Sequence, residues 1–311
     1  MNFKKFKIWV VTDGSEGMVT QVRGLADQFS SNIKEIKADL IFPWNKLQPG
    51  FLPVFKWIFK NQILKDDLPD MIISCGRKSV YLSLYLKKKY KKIINIHIQN
   101  PKISSKKFNF IVSPNHDNQK GSNIINSVGA LHYFKKSINS SNKNLLTCII
   151  GGDSQHYYFN NNEAIKLSNK LLEIKKQNLG LKILVITSRR TSKKIKDILL
   201  NKLSDTASIW TGNGENPYKF SISNSKYFIV TSDSTSMISE AAISGRPIYV
   251  YHLPFKRKSK RISSFHKEFV KLGITRELEN IEGLENWSYD PLNESKRIGS
   301  IIKKRIIEEN I

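Results

Sequence analysis

The chain has 311 residues and carries 51 Lys plus Arg against 26 Asp plus Glu, a formal net charge of +25 at pH 7. A hydrophobic content of 40% excludes an intrinsically disordered chain, and no apolar run approaches the roughly 18 residues of a membrane-spanning helix. With only Cys75 and Cys148, each inside an apolar run, a disulfide framework is excluded and a reducing compartment is expected.

The length suits about two domains, at roughly 100–200 residues each. Lys4, Lys5 and Lys7 precede Ile8-Trp9-Val10-Val11 as in a secretory signal, but the apolar run stops at Thr12-Asp13-Gly14, short of an h-region of about 7–15 residues. Lys7 to Thr12 is therefore expected to be a first strand, and the protein to be cytoplasmic. A helix from Gly17 to Phe29 follows. Met71 to Cys75 reads as a strand, Lys78 to Leu86 as a helix, and Ile93 to Ile98 and Phe108 to Ser113 as strands. A polar stretch, Lys135 to Asn144, divides the chain into expected domains 1–136 and 143–311. The alternation then restarts: strand Leu145 to Ile150, helix Asn162 to Lys175, strand Lys182 to Thr187, helix Thr191 to Leu203, strand Tyr227 to Thr231, helix Ser234 to Ser244, strand Pro247 to Tyr251. Ile298, Ile301, Ile302 and Ile306 recur on a helical period in a terminal helix, Glu294 to Glu309, assigned to the second domain. Continuous apolar strands alternating with helices predict parallel sheets covered on both faces, and two such domains facing a crevice.

The charge is mostly lysine: 41 Lys against 10 Arg. Base readout and bidentate phosphate clamps favour Arg, and no helix-turn-helix, zinc-finger or RNA-binding signature is present, so nucleic acid is not an expected partner. Two blocks stand out, Lys87, Lys88, Lys89, Lys91, Lys92 and Lys256, Arg257, Lys258, Lys260, Arg261. Each reads either as a solvated helix end or as a patch facing phosphate or acidic lipid.

Four turns at strand ends carry candidate chemistry. Thr12-Asp13-Gly14-Ser15-Glu16-Gly17, with Gln21, is neither a dinucleotide fingerprint nor a Walker loop. Asp13 and Glu16 make it unsuited to phosphate and suited to a hydroxyl-bearing acceptor, with Asp13 or Glu16 as candidate general base. The alternative is a tight turn in which Asp13 caps the helix. Gly151-Gly152-Asp153-Ser154 offers small residues where a ligand or the other domain approaches. Ser188, Arg189 and Arg190 suit a diphosphate, or else Thr191 or Ser192 is a helix cap beside solvated Arg. In Thr231 to Ala242, a strand ends in hydroxyls that open a helix. Ser234 and Ser236 can meet a phosphate and Glu240, four residues past Ser236, a ribose diol; a capped helix explains one of these hydroxyls. Gly212 to Tyr218 is a glycine-rich loop with Pro217 at an expected helix start, placed to close over the crevice. His156 is weighed as structural. No metal-ligating spacing and no nucleophile elbow are present, so no metal and no cofactor are expected.

Trp9, Thr12 to Gly14, Gln21, Gly24-Leu25-Ala26, Gly76-Arg77, Gln99-Asn100-Pro101, Pro114 to Asp117 and Gly129 to His132 occur in that order. Gly151-Gly152, Thr187 to Thr191, Gly214 to Tyr218 and Thr231 to Ala242 follow them. Together these motifs resemble the mitochondrial-fission-protein-like family of plants and bacteria, over about Trp9 to Pro254. Where bacterial members carry Lys and His in the first loop, this chain has Ser15 and Met18. The resemblance implies a fold of the two-Rossmann-domain glycosyltransferase type, GT-B. The segment around Glu240 is similar to the donor-nucleotide motif of the bacterial glycosyltransferase that makes the lipid-linked peptidoglycan disaccharide. It implies Glu240 on ribose, Ser234 to Ser236 on a diphosphate, and the acceptor in the first domain. The expected substrate-binding residues are Gly14, Gly17 and Gln21 in the first domain. In the second they are Gly152, Ser188, Arg189, Arg190, Asn216, Tyr218, Ser232, Asp233, Ser234, Ser236, Met237 and Glu240. The expected function is a metal-independent transferase taking a nucleotide-diphosphate sugar to a membrane-associated acceptor. The alternatives are a non-catalytic membrane scaffold, as the plant members are described, and a nucleotide-sugar epimerase.

Phe51 to Lys60, continuing through Ile63-Leu64, is read as an interfacial helix with Phe51, Phe55, Ile58 and Phe59 on one face and Lys56 and Lys60 on another, lying on anionic lipid. The competing reading is a core helix with snorkelling lysines.

Overall fold

The computed structural model describes residues 1–60, 68–135 and 144–311. They divide into two units, Met1–Tyr133 with Asn293–Ile311, and Phe134–Leu292.

In the first unit β1 (Ile8–Thr12), β2 (Ile33–Lys37), β3 (Met71–Cys75), β4 (Ile94–Ile98), β5 (Phe110–Pro114) and β6 (Ile124–Ser127) form one sheet in the order β2-β1-β3-β4-β5-β6. Every pairing is parallel, with Val10 opposite Glu35 on one side and Ile73 on the other. β1, β3, β4 and β5 are buried at every position, which is why they read as largely apolar runs, interrupted by buried polar residues such as Ser74, Asn95 and His97. Alternate residues serve opposite faces. Ile8 and Val10 join Val22 and Leu25 of α1 (Glu16–Ala26), whereas Trp9 and Val11 join Tyr81 and Leu82 of α2 (Arg77–Lys89).

The second unit holds β7 (Leu145–Ile150), β8 (Lys182–Thr187), β9 (Ser208–Trp210), β10 (Tyr227–Thr231), β11 (Ile248–Tyr251) and β12 (Thr275–Glu277). They form an all-parallel sheet ordered β12-β11-β10-β7-β8-β9. Its helices are α3 (Asn161–Gln177), α4 (Lys193–Leu203), α5 (Tyr218–Asn224), α6 (Thr235–Ala241) and α7 (Lys260–Lys271). Both units are doubly wound α/β folds, as the alternation predicts.

The terminal helix α8 (Glu294–Glu308) corrects the domain expectation. It belongs with the first unit and not with residues 143–292. Ile298, Ile302 and Ile306 are buried against Leu25 and Phe29, and Ser295 Oγ donates to the His132 carbonyl at 2.6 Å. Gly24 makes this docking feasible: a Cβ there would lie 2.3 Å from the His132 carbonyl oxygen. Most of the expected linker, 136–143, lies outside the described residues.

The sequence reading also misses β2, β6, β9 and β12, the four sheet edges. Edge strands are half solvated and carry polar residues, so they lack the apolar run that marks a central strand. Nor does Phe51 to Lys60 form a helix. Only a 3-10 turn, Lys56–Ile58, is present, with Phe55 and Phe59 extended on either side. Ile58 and Phe59 are core residues, while Phe51, Phe55 and Trp57 face solvent; residues 61–64 lie outside the described part. Among the described residues no helix is long and apolar enough to cross a membrane.

Candidate functional site

In a doubly wound sheet, the carboxyl ends of the two strands where the winding reverses leave a crevice that ligands use. In the second unit the reversal lies between β7 and β10, whose carboxyl ends carry Gly151-Gly152-Asp153 and Thr231-Ser232-Asp233.

Those two ends are stitched together. Thr231 Oγ1 accepts from the Gly151 amide at 2.8 Å and donates to Asp233 Oδ1 at 2.6 Å. Asp233 Oδ2 accepts from the Gly152 amide at 3.1 Å and pairs with Arg190 Nη1 at 2.7 Å. The Asp233 side chain is wholly buried, so this guanidinium and two further donors neutralise a charge that would otherwise be costly. Ser188 Oγ donates to the Gly151 carbonyl at 2.8 Å, and Thr191 Oγ1 donates to the same oxygen. The glycine pair has its explanation here. A Cβ on Gly151 would sit 2.1 Å from Asp233 Oδ2, and one on Gly152 2.2 Å from the Arg190 carbonyl oxygen. What approaches these glycines is the protein's own chain. Gly152, Ser188, Arg190 and Asp233 are thus brought together at the carboxyl ends of the strands. Arg189, beside them, is exposed. Ser232 Oγ is buried and accepts from the Leu253 amide at 3.0 Å.

Ser234 caps α6 by accepting from the Met237 amide at 3.4 Å, with Ser236 and Met237 half-buried on the first turn. Glu240, further along α6, is 7% exposed, and the Tyr218 hydroxyl donates to its Oε2. Two residues singled out separately in the sequence therefore meet. Burial pushes the Glu240 carboxyl up to about 7, against the lowering effect of the Tyr218 hydrogen bond. Tyr218 is delivered by α5, which begins just after Pro217, where the sequence reading places a helix start. Asn216 Oδ1 accepts from the Tyr218 amide at 3.0 Å and so starts that helix.

In the first unit the winding reverses between β1 and β3, whose ends carry the Thr12–Gly14 turn and Gly76. The Ser15 amide donates to Asp13 Oδ1 at 2.9 Å, the Gly14 amide to Thr12 Oγ1 at 3.0 Å, and Gly14 takes φ +90°. Asp13 thus builds the turn ahead of α1, while Glu16, the first residue of α1, is exposed. The turn borders a cavity of about 190 Å³ lined also by Val10, Ile36 and Lys37. Gln21 is buried and donates from Nε2 to the Gly17 carbonyl at 3.0 Å.

The basic blocks are partly consumed by the fold. Lys87 Nζ donates to the carbonyls of Lys91 and Ile93 at 2.9 and 2.8 Å, closing the end of α2. Lys256 pairs with Asp153 at 2.5 Å. His156 Nδ1 lies 3.2 Å from the Arg257 carbonyl oxygen, a contact within the loop framework. Among the described residues, no group of three or more His, Cys, Asp or Glu is arranged to hold a metal ion.

Compared with known proteins, residues 16–306 match the family model described as mitochondrial fission ELM1. An uncharacterised Rickettsia prowazekii protein, RP120, is 30% identical, the match covering 95% of this chain and 97% of that protein. The mitochondrial fission protein ELM1 of Arabidopsis thaliana is 24% identical, over 79% of this chain and 66% of the plant protein. Among solved structures, the UDP-GlcNAc 2-epimerase of Methanocaldococcus jannaschii aligns with a TM-score of 0.53 at 15% identity, over 96% of this chain and 99% of that one. MurG of Acinetobacter baumannii aligns with a TM-score of 0.50 at 10% identity, over 96% and 99%. These likenesses extend to the fold, the GT-B architecture of such transferases and epimerases.

Proposed function

The chain belongs to the mitochondrial fission ELM1 family, and on that footing we propose that its second unit binds a nucleoside-diphosphate sugar for glycosyl transfer to an acceptor held at an anionic membrane surface. One observation carries the donor half of this reading: a deeply buried carboxyl, Glu240, sits on the helix that follows the strand at the winding reversal. Among the described residues, the fold gives Glu240 one side-chain partner, the Tyr218 hydroxyl. Carboxylates seldom lie this deep without a polar task, and a ribose diol supplies donors that such a group accepts. A solved structure of the Methanocaldococcus jannaschii epimerase is a complex with UDP-GlcNAc and UDP, which favours uridine as the nucleoside. Ser234, Ser236 and Arg189 then face the diphosphate, and the Asp233–Arg190 pair keeps the surrounding loops in shape. Asp13 or Glu16 takes the acceptor proton. The excess of lysine and the exposed aromatic residues of 42–57 favour the membrane half.

Titration with UDP, followed by thermal shift or calorimetry, tests the donor half. Glu240→Ala is expected to weaken UDP binding about tenfold or more, since it removes a charge-assisted hydrogen bond. Unchanged affinity removes Glu240 from the site, and no UDP binding by the native chain ends the reading. Product analysis with UDP-GlcNAc separates transfer, which moves the sugar to an acceptor and releases UDP, from epimerisation, which leaves the sugar on UDP as its 2-epimer and needs no acceptor.

A further inference from the structure

Residues 39–41 and 58–60 run side by side. The Ile41 amide donates to the Ile58 carbonyl at 3.0 Å and the Lys60 amide to the Asp39 carbonyl at 3.1 Å, and Leu40 and Phe59 form an antiparallel bridge. Everything between, residues 42–57, is thus a closed loop on the first unit, of the kind that often carries function.

This loop inverts the usual burial rule. Of the eight large aromatic side chains exposed among the described residues, four lie in it: Phe42 at 76%, Phe51 at 75%, Trp57 at 60% and Phe55 at 44%. They are held out by a built framework. Arg77 donates to the carbonyls of Asn45 at 2.5 Å and of Leu47, the Tyr81 hydroxyl to Leu47 at 3.1 Å, and Trp44 Nε1 to the Pro53 carbonyl at 3.0 Å. Trp57 stacks on Phe55 at 5.6 Å and meets the buried Trp44 edge-on at 5.1 Å. A fold that pins its loop so firmly and still leaves these rings in water marks an interaction surface. The charge identifies the kind: the loop holds Lys46 and Lys56, both exposed, and no acidic residue.

We propose that the loop 42–57 is the surface by which this protein docks on a bilayer containing anionic phospholipid. Its exposed aromatic rings enter the headgroup boundary and Lys46 and Lys56 lie against lipid phosphate. Phe and Trp suit that depth because each is a broad apolar body, and Trp adds a polar edge for the wet side. Neither component suffices by itself; apolar anchoring and basic attraction act together, which makes the contact reversible and salt-sensitive. The inference deepens the membrane half of the proposed function and is independent of the nucleotide half.

Flotation of the full chain with vesicles of phosphatidylcholine, or of phosphatidylcholine and phosphatidylglycerol in equal parts, tests it. Binding is expected on the mixed vesicles at low salt and is expected to weaken as salt is raised. Lys46→Gln and Lys56→Gln are each expected to weaken it about fivefold at low salt. The double variant Phe42→Ser, Phe51→Ser changes two rings that face solvent, so the fold is kept, as circular dichroism will verify, and binding is expected to fall at least about tenfold. Undiminished binding by that variant overturns the loop assignment while leaving membrane binding intact; failure of the native chain to bind overturns both. A native dimer that the double variant breaks assigns the loop to a second copy of the chain and also overturns the proposal. UDP titration of the same variants is expected to be unchanged, so the two halves of the function stand or fall separately.

Discussion

Deep burial puts the protonation of Glu240 under the control of the fold. Its carboxyl ordinarily titrates at 4.5 and in the folded protein at about 7, so the folded state binds that proton more tightly than the unfolded one. The resulting stability is complete below pH 4.5 and is lost as the pH rises towards 7, by about 3 kcal/mol at 1.36 kcal/mol per pKa unit. Glu240→Gln keeps an acceptor for Tyr218 and cannot ionise, so across this window its stability is expected to stay level relative to the falling native curve. Urea unfolding at several pH values between 4.5 and 7 checks this, and parallel curves would refute it. His97, driven down to about 3 by burial, works in the opposite sense. Its stabilising effect is present above pH 6.5 and is lost on acidification, equally in both proteins, so it cancels in the comparison. That Glu240 is a candidate is visible in the sequence, because a carboxylate follows a run of hydroxyls on one helix. Its partner is not visible there, because Tyr218 reaches it across 22 residues of chain.

Arg77 is the element-scale counterpart. It opens α2 yet acts on another element, donating to the backbone of the loop 42–57 at Trp44, Asn45 and Leu47. Arg77→Ala removes charge-assisted donors from these carbonyls, and loss of about 2 kcal/mol is expected. Hydrogen exchange should quicken in residues 42–57 while amides of β1 and β3 keep their protection; uniform quickening would mean that Arg77 supports the whole sheet instead. The same element shows where periodicity misleads. Phe51 to Lys60 contains an apolar stripe at helical spacing, but Pro53 interrupts the segment and the Leu40–Phe59 bridge fixes its end in extended form. Of the apolar stripe, Ile58 and Phe59 therefore go inward and Phe51 and Phe55 outward.

At the scale of the molecule, the chain returns to its first unit through α8. Ile302 is fully buried against Leu25 and Phe29, so Ile302→Ala is expected to cost about 2–4 kcal/mol. The loss should fall on the amides of β1 to β6 and spare those of β7 to β12. Equal loss in both sheets would show that α8 supports the two units alike.

The sequence alone determined the α/β class, the eight central strands, the family and the motifs at the strand ends. Each of these is written locally, in apolar runs that only doubly covered parallel strands tolerate and in turns where particular residues must stand together. Tertiary structure alone decided the edge strands, the unit to which α8 belongs, the use of Gly151 and Gly152 as room for Asp233 and Arg190, the pairing of Tyr218 with Glu240, and the outward display of the aromatic loop. All of these depend on groups far apart in the chain whose contacts are set by how sheets and helices pack, and side-chain type and spacing do not encode such contacts.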